Sequence, residues 1–366
     1  MIKIYMKILF ISSFHPGGCG QIGAGEAISG DILKDFIAKN YSVDVYVLSP
    51  ENQRENSEIV SQCNQYVVSK TDKYTMLQSI AANFTNGSFI APWFFTRVQR
   101  DVICKVREMI NANNYDFIWL DFPSSLGFAA SLSHPDIRYC AHDIVAQRME
   151  RSYVKRWLSG FVRTIESSLF KKLSRISVLS EKDHKLVHDM GFLGDVSIIP
   201  LGEQKVGVVD DAVNIDEIVD NFSGKKNLVF FGNMKRAENH WSIIWFILFV
   251  FIRAYRKEPN LNLWILGICP RFSLRFISRL ISSVHVVGAV DDPSLAFKKA
   301  DLCIAPLLFG AGVKIKVIQM LDAGGRVLAT PVGAEGVAEN ERLMVFSSNE
   351  IYKALLQEVD KCYHFH

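Results

Sequence analysis

Short runs of apolar residues, many of them β-branched, alternate along the chain with segments of helical periodicity. Continuous apolar runs of this length predict strands of parallel sheets that are covered by helices on both faces. The predicted strands of the first half cover residues 7–12, 43–48, 117–120, 138–141, 176–179 and 196–199, and those of the second half cover residues 228–231, 261–266, 284–287, 302–305 and 327–329. The alternation therefore predicts an α/β protein.

A polar, acidic segment separates the two groups of predicted strands. Residues 202–226 include Asp210, Asp211, Asp216 and Glu217 and show no strong apolar period, which is typical of a linker. We expect an N-terminal domain over 1–201, this linker over 202–226, a C-terminal domain over 227–348, and a helix with a tail over 349–366. Each domain is predicted to be doubly wound, with ligand sites at the carboxyl ends of its strands and a small-molecule site in a central cleft that the two sheets face.

The segment 306–336 predicts a loop, a helix, a strand and a second loop. Gly310 and Gly312 precede a helix that begins near Val313, and Lys314 and Lys316 lie in its first turn. Cations are unfavourable there because the helix macrodipole is positive at this end. A bound anion would reverse that penalty, so the segment indicates a phosphate site. The alternative is that the two lysines form a solvated helix face, but the glycine-rich loops on either side favour the phosphate.

A second glycine-rich loop, residues 15–25, follows the first predicted strand. Gly18, Gly20 and Gly23 match the G-x-G-x-x-G pattern of dinucleotide folds. Residues 12–17 intervene between the strand and the first glycine, however, and no acidic residue ends the second strand as that fingerprint requires. An NAD(P)-dependent oxidoreductase therefore stays an alternative rather than the first hypothesis.

The pair His142-Asp143 comes directly after a predicted buried strand. Functional groups of parallel sheets lie at such strand ends, although the pair also suits the cap of a following helix. Both interpretations stay open on these residues alone.

Charge and cysteine usage exclude several classes of protein. The formal net charge of +3 gives no indication of a nucleic-acid partner. The seven cysteines are scattered without a C-x-x-C pair, which indicates free thiols in a reducing compartment rather than disulfides or a zinc site. Lys3 and Lys7 interrupt the N-terminal apolar stretch, so we expect a strand there and not a signal peptide. A cytoplasmic protein is expected.

With these motifs the chain resembles a known family, the retaining, nucleotide-sugar-dependent glycosyltransferases of the GT-B fold. The specific resemblance is to glycosyltransferase family 4, of the group 1 type. The resemblance spans almost the whole chain. It rests on the glycine loop after the first strand, His142-Asp143, the stretches 166–183 and 198–202, Phe230-Phe-Gly-Asn-Met, and above all the closing Phe-Gly-Ala-Gly-Val-Lys-Ile-Lys and Ala-Thr-Pro-Val-Gly-Ala-Glu-Gly.

The resemblance implies a fold, an activity and a set of site residues. It implies two Rossmann-like domains, transfer of a hexose-type sugar with retained configuration, and no metal or cofactor besides the nucleoside diphosphate-sugar substrate. The catalytic positions that it implies are His142 and Lys316. The implied acceptor-binding positions are His15, Asp121 and Asp143. The implied donor-binding positions are Gly17, Gly18, Asn233, Lys235, Arg236, Gly310, Ala311, Gly312, Val313, Lys314, Gln319 and Glu335.

Some positions depart from the family pattern. Ala311 and Gln319 stand where the family often has two glutamates, and Asn233 and Glu238 stand where it has an arginine and a lysine. Gln319 can accept a ribose hydrogen bond but lacks the strength that a charge adds. A non-catalytic binding subunit of the same fold is therefore the second alternative.

Two aromatic segments bear on the acceptor. Residues 241–255 are apolar on nearly all faces, and the segment turns basic at Arg253, Arg256 and Lys257. Residues 79–98 hold Phe84, Phe89 and three further aromatic residues next to Arg97 and Arg100. Aromatic residues beside cations suit an anionic membrane interface. The alternative is a core-facing helix and a packed loop. The predicted acceptor is a glycan or a lipid-linked molecule, with peripheral contact to the cytoplasmic face of the inner membrane as a hypothesis.

Overall fold

The computed structural model of the chain describes residues 6–18, 24–50, 54–151, 156–200, 212–310 and 312–361. The chain forms two compact units, Met1–Gly202 and Glu203–His366, which are the first and the second domain.

In the described part of the first domain, seven strands form one parallel sheet in the order β3-β2-β1-β4-β5-β6-β7. The strands are β1 (Lys7–Ser12), β2 (Ser42–Pro50), β3 (Gln65–Thr71), β4 (Phe117–Asp121), β5 (Ile137–Ala141), β6 (Arg175–Val178) and β7 (Asp195–Ile198). The helices are α1 (Ala24–Ala38), α2 (Ser57–Gln62), α3 (Lys73–Ala82), α4 (Arg100–Ala112), α5 (Pro123–Leu126), α6 (Val145–Glu150), α7 (Ser159–Phe170) and α8 (Glu181–Asp189).

In the described part of the second domain, six strands form a parallel sheet in the order β10-β9-β8-β11-β12-β13. The strands are β8 (Lys226–Phe231), β9 (Leu261–Leu266), β10 (Val284–Gly288), β11 (Leu302–Ala305), β12 (Val327–Ala329) and β13 (Leu343–Val345). The helices are α9 (Ile215–Val219), α10 (Ala237–Phe246), α11 (Ile252–Tyr255), α12 (Phe272–Leu280), α13 (Ser294–Lys299), α14 (Ile315–Asp322) and α15 (Ile351–Lys361), and a π-helical segment, Ile247–Phe251, joins α10 to α11 without a break.

The predicted α/β class with doubly wound parallel sheets is confirmed. Each of the predicted strands lies on an observed strand, but β3 and β13 were missed. Both are edge strands whose residues are only partly buried. An edge strand lacks the continuous apolar run that identifies a central strand, since less of it is covered.

Helices cover both faces of each sheet. In the second domain, one apolar core lies under α10, α11, α12 and α15, and another lies under α9, α13 and α14. Residues 212–226, predicted as part of the linker, belong to this second core because Ile215 and Phe222 are buried in it. The remainder of the predicted linker lies outside the described residues.

The chain order places one switch point in each sheet. In the first domain β1 lies between β2 and β4, and in the second β8 lies between β9 and β11. Ligands of doubly wound sheets bind outside the carboxyl ends of the strands at such a point. The loops after β1 and β4, and those after β8 and β11, are therefore where functional groups are expected.

Candidate functional site

The loop between β11 and α14 turns sharply before the helix begins. Gly310 and Gly312 have φ angles of 125° and 78°, which other residues rarely adopt. Helix α14 begins at Ile315, and no side chain caps its N-terminus at Lys314. The predicted loop-to-helix transition is confirmed. Ala311, a predicted donor-binding position, lies outside the described residues.

Lys316 lies in the first turn of α14 and points toward the end of β8. Its Nζ donates a 2.8 Å hydrogen bond to Asn239 Oδ1 and lies 4.4 Å from the centroid of the Phe230 ring. Burial, followed by the charges of Lys314 and Arg236, lowers the pKa of Lys316 to about 7. The amine thus meets an amide oxygen and an aromatic face, and an anion placed beside it would favour its charged form.

Lys314 has a different environment from Lys316. Its side chain is buried, its Nζ donates to Gly312 O at 2.6 Å, and it lies 3.5 Å from Glu335 Oε2. The backbone N–H of Lys314 also donates to the carbonyl of Glu335. The prediction of Lys314 and Glu335 as separate ligands is thus refined, because together they join the two glycine-rich loops on either side of α14.

The loop after β8 supplies the groups that face Lys316. Arg236 is exposed, and its Nε donates to Glu238 Oε1 at 2.7 Å, while Lys235 is exposed as well. Asn233 accepts a hydrogen bond from the Lys235 backbone through its side chain. The predicted residues Lys235 and Arg236 therefore carry positive charge at the edge of the sheet where Lys316 lies.

Asn239 is a site residue that the sequence did not reveal. It accepts from Lys316 through Oδ1 and donates through Nδ2 to the carbonyl of Asn233 at 2.9 Å, so it joins α14 to the loop after β8. A Cβ at Gly232 would lie 2.9 Å from that Nδ2, which explains the glycine. The sequence feature that could have identified Asn239 is a glycine, Gly232, directly after β8 and seven residues before an asparagine in the first turn of a helix.

Two other predicted donor positions lie on α14 and its loop. Gln319 follows Lys316 by almost one turn and is partly buried. Val313 packs under the second glycine loop, where a Cβ at Gly336 would lie 2.9 Å from Val313 Cγ2. Val313 therefore shapes the loop through apolar packing.

In the first domain, His142 lies at the end of β5 against Asp121 at the end of β4. His142 Nε2 is 2.8 Å from Asp121 Oδ1, and the Phe122 ring stacks on the imidazole with centroids 4.1 Å apart. Burial opposes the charged imidazole, but Cys140 and Asp121 beside it raise the pKa of His142 well above its ordinary value. The imidazolium form places a donor at Nδ1, a buried nitrogen that contacts no acceptor among the described residues.

Asp121 holds the imidazole of His142, and its predicted contact with the acceptor stays a prediction. The carboxylate is fully buried and also accepts hydrogen bonds from Ser29 at 2.5 Å and from Ser12 at 3.4 Å. Asp143 is partly exposed and accepts a 2.7 Å bond from Arg148 on helix α6. Of the predicted acceptor-binding carboxylates, Asp143 is therefore the one that solvent reaches.

The predicted residues of the loop after β1 make contacts within the first domain. The His15 imidazole is buried, hydrogen-bonds to the Tyr66 hydroxyl at 2.9 Å, and has its pKa lowered by burial. The ring of His15 thus contacts β3 inside the domain, and its contact with the acceptor stays a prediction.

Gly17 and Gly18 are glycines for reasons of packing. The Gly17 N–H donates to Glu26 O and the Gly18 N–H donates to His15 O. A Cβ on Gly17 would lie 2.7 Å from Ile59 Cδ1, and one on Gly18 would lie 2.9 Å from the Arg54 carbonyl. Both N–H groups are used within the domain, and the contact of these glycines with donor phosphates stays a prediction. Gly20 and Gly23 of the dinucleotide-like pattern lie outside the described residues.

One group of side chains in the described part of the chain has the spacing of metal ligands. Ligand atoms of Asp121, Cys140 and His142 lie within 4.8 Å of one another. Burial raises the pKa of the Cys140 thiol, and the thiolate is the form that binds metals. Asp121 and His142 are bonded to each other, so the chemistry of this group is that of a hydrogen-bonded cluster.

Two Rossmann-like domains with polar groups at both switch points define a doubly wound α/β protein, a class in which ligands bind outside the carboxyl ends of the strands. The second domain, residues 225–364, matches the family described as glycosyl transferases group 1. The chain is also 26% identical over 133 residues to an uncharacterized 44.6 kDa protein from the cps region of Klebsiella pneumoniae. That match spans 34% of each of the two proteins. The group 1 resemblance predicted from the motifs is thus confirmed where it is most specific.

Solved structures show the fold of the whole chain. Sucrose-phosphate synthase from Thermosynechococcus elongatus has a TM-score of 0.67 at 14% identity, covering 98% of this chain and 90% of that one. Anabaena HepE in complex with UDP has a TM-score of 0.64 at 13% identity, with coverage of 98% and 90%. WaaG, a glycosyltransferase involved in lipopolysaccharide biosynthesis, has a TM-score of 0.62 at 17% identity, with coverage of 97% and 91%. The predicted GT-B fold class is confirmed.

Bilayer-spanning helices were searched for over the described ranges. In that part of the chain no helix combines the length and the apolar character that crossing a membrane requires.

Proposed function

We propose that the protein is a glycosyltransferase that moves a sugar from a nucleoside diphosphate-sugar to a glycan or lipid-linked acceptor. The observation that carries this proposal is the environment of Lys316. A partly buried amine, with its pKa lowered to about 7, lies in the first turn of α14 with Arg236 and Lys314 close enough to affect its charge. Such a site gains most from a ligand that brings negative charge, and a diphosphate at a helix N-terminus is the ligand that suits it.

The residues of each domain take separate parts in the reaction. In the second domain, Lys316 and Arg236 stabilise the charge that develops on the departing diphosphate. In the first domain, the His142 imidazolium donates a hydrogen bond from Nδ1 to a hydroxyl of the transferred sugar. Asp121 holds the ring in the orientation that leaves Nδ1 for this contact.

Retention of configuration fits attack on the same face as the leaving group. The acceptor oxygen forms a bond to the anomeric carbon as the bond to the diphosphate oxygen breaks, and the acceptor proton passes to that leaving oxygen. We propose that no metal ion takes part. The anomeric proton of the first product, followed by NMR with and without a chelator, tests both statements.

Uridine diphosphate sugars are the first donors to test. HepE, which has the same fold, was solved in complexes with UDP and with UDP-glucose. The experiment is a thermal-shift screen of nucleoside diphosphates and their sugars, with Lys316→Ala as the matched variant. We expect a raised melting temperature in the wild type that is lost in the variant. A rise with a nicotinamide cofactor but with no nucleotide-sugar would overturn the proposal in favour of an oxidoreductase.

The acceptor is proposed from the relatives. The cps-region protein and WaaG, named for lipopolysaccharide biosynthesis, support a role in assembling a cell-envelope polysaccharide or glycolipid on the cytoplasmic side. Radiolabelled sugar transferred into a butanol-extractable fraction would identify a lipid-linked acceptor.

A non-catalytic binding subunit is the second candidate, and Gln319 favours it. A neutral amide at this position binds a ribose hydroxyl less strongly than a carboxylate does. Slow hydrolysis of a bound nucleotide-sugar, abolished by Lys316→Ala, excludes this candidate. Binding without any hydrolysis or transfer supports it.

A further inference from the structure

Helix α12 shows two adjacent stripes on its exposed surface. Phe272, Phe276 and Leu280 are spaced by four residues and are 77%, 50% and 69% exposed. Arg271, Arg275 and Arg279 precede them by one position each, share the same spacing, and are exposed as well. The opposite side of the helix packs on the sheet through Leu274 and Ile277. An amphipathic helix with aromatic residues beside a row of arginines is typical of a helix that lies in a membrane interface.

The continuous helix formed by α10, the π-helical segment and α11 adds to this surface. Trp241, Leu248 and Phe249 are exposed on it, although the other side of the same helix fills the core. The core-facing interpretation of this apolar segment is thus correct for one side only. Large apolar groups that remain exposed on one helix face need a partner or an interface.

A direct contact joins the two helices. The Ser273 hydroxyl is 3.1 Å from His240 Nε2, so the first turn of α12 meets the first turn of α10. Trp241 and Phe272, the neighbours of these two residues, are both exposed. We call the exposed side chains of these helices, together with the arginine row of Arg271, Arg275 and Arg279, the basic aromatic face. Its apolar side chains are Trp241, Leu248, Phe249, Phe272, Phe276 and Leu280.

The charge of this part of the chain is one-sided. Between residues 239 and 290 there are six arginines and lysines and one acidic residue, Glu258. Glu258 is already paired with Lys226 at 3.0 Å. The cations are Arg253, Arg256, Lys257, Arg271, Arg275 and Arg279.

We propose that the basic aromatic face binds the surface of an anionic phospholipid membrane. Aromatic and leucine side chains insert among the headgroups, and Arg275 and Arg279 meet the phosphates. A second copy of the chain fits less well, because a two-fold interface would place the same arginine row against itself. The anionic bilayer supplies an apolar layer for the exposed aromatic and leucine side chains and negative charge for the arginines.

The face begins at the edge of the sheet that holds the nucleotide-type site. Arg271, just before α12, donates to the carbonyls of Met234 and Lys235 in the loop after β8. Membrane binding would therefore bring that loop to the lipid surface, where a lipid-linked acceptor would be found. The vesicle-binding inference itself does not depend on the proposed function.

The experiment is flotation of the full chain with vesicles. Phosphatidylcholine alone is compared with phosphatidylcholine mixed with phosphatidylglycerol, at low and at raised salt. We expect binding to the anionic vesicles only, weakened by salt. The variant Arg275→Glu with Arg279→Glu is expected to lower the affinity by about 30-fold or more. The variant Phe272→Ser with Phe276→Ser is expected to lower it by about tenfold.

The first domain offers a matched control. Phe84 and Phe89 are also exposed, and their ring centroids are 6.2 Å apart, against 6.3 Å for Phe272 and Phe276. Phe84→Ser with Phe89→Ser removes at least as much exposed aromatic surface outside the basic aromatic face, and should leave vesicle binding unchanged. Of the two arginines predicted to meet headgroups beside these aromatics, Arg97 is buried and Arg100 is exposed.

The inference is overturned if the wild type does not bind anionic vesicles, including the case in which α12 instead mediates association of wild-type chains or capture of an acidic protein. It is also overturned if binding is lost in the Phe84 and Phe89 variant but not in the α12 variants. UDP binding is measured on each variant, which also shows that it is folded. Vesicle binding without UDP binding contradicts the proposed function alone, and UDP binding without vesicle binding contradicts this inference alone.

Discussion

The amine of Lys316 donates to Asn239 and lies over the Phe230 ring, so its charge is stabilised by one amide dipole and one π-face. With a pKa of about 7, a large part of the population is neutral at physiological pH. A diphosphate beside this amine raises its pKa, because an opposite charge favours the ammonium. Ligand binding and proton uptake are therefore coupled at this one side chain.

We predict that UDP binds more weakly as the pH rises above 7. A site whose pKa is about 7 when empty and higher when occupied takes up a proton on binding between those values. The affinity then falls by up to about tenfold per pH unit over that interval. Calorimetric titration at pH 8 in two buffers of different ionisation enthalpy measures the proton directly.

The control for this prediction is Lys316→Arg, since a guanidinium stays charged throughout the range. The variant should bind UDP with an affinity that does not change between pH 7 and 9. Equal pH dependence in both proteins would show that another group takes up the proton.

His142 yields a second prediction at this scale. In the wild type the imidazolium is maintained by Asp121, so transfer activity should not fall between pH 6 and 8. Cys140 and Asp121 both raise the pKa of His142, so Asp121→Asn removes one of the two contributions, and the kcat of the variant should decline at a lower pH than that of the wild type. UDP binding should be unchanged because the proposed nucleotide site lies in the second domain. A variant with a uniformly lowered kcat and no new pH dependence would contradict the positioning role of Asp121.

The sequence predicted which residues have suitable chemistry but not which of them have their hydrogen bonds satisfied elsewhere. Lys316 and His142 could be identified because each lies directly after a strand or at a helix start. The role of Gly17 could not, since its neighbours Gly30 and Ile59 come from two different helices. Asn239 was missed for the same reason: its bond to Lys316 joins positions that are 77 residues apart.

At the scale of single elements, helix α6 depends on a distant carboxylate. Glu166 on α7 is fully buried and accepts hydrogen bonds from the backbone N–H groups of Val145 and Ala146 at 2.9 and 2.8 Å. It thereby caps the short helix that follows His142-Asp143. Burial raises the pKa of Glu166 to about 8, and the two backbone bonds only partly oppose this.

We predict that the first domain loses stability as the pH rises toward 8. The unfolded glutamate titrates near 4.5 and the folded one near 8, so the folded state holds the extra proton between these values. A raised folded pKa contributes stability that is present below the unfolded pKa and is lost as the pH passes through the folded one. Urea unfolding between pH 5 and 9, followed by circular dichroism, measures the slope.

Glu166→Gln is the matched control, because the amide has a similar shape and does not titrate. The variant should lose one backbone hydrogen bond, at a cost of about 1–2 kcal/mol, and should show a smaller slope with pH. An unchanged slope would assign the pH dependence to other groups.

Elements with continuous apolar character were predictable, and those defined by their surroundings were not. The central strands could be identified because both faces of each are covered. The edge strand β3 has only three apolar residues among seven, so its pairing with β2 depends on the sheet that precedes it. The four-residue spacing of the two stripes of α12 is visible in the sequence, but only the structure shows that the aromatic stripe faces outward.

At the scale of the whole molecule, two domains with separate cores share one chain. Phe170 is fully buried in the core of the first domain, and Phe251 is fully buried in a core of the second. Each core is closed by its own helices. Unfolding of the two domains should therefore be separable by a ligand that binds only one of them.

We predict two calorimetric transitions, of which UDP raises only the one that belongs to the second domain. A ligand at 100 times its Kd stabilises the domain that it binds by about 2.7 kcal/mol. The matched variants Phe170→Leu and Phe251→Leu assign the transitions, since each truncates one buried ring at a cost of about 1–2 kcal/mol. Phe251→Leu should lower the transition that UDP raises, and Phe170→Leu should lower the other. If UDP instead raised the transition that Phe170→Leu lowers, the nucleotide site would belong to the first domain and the assignment of Lys316 would be wrong.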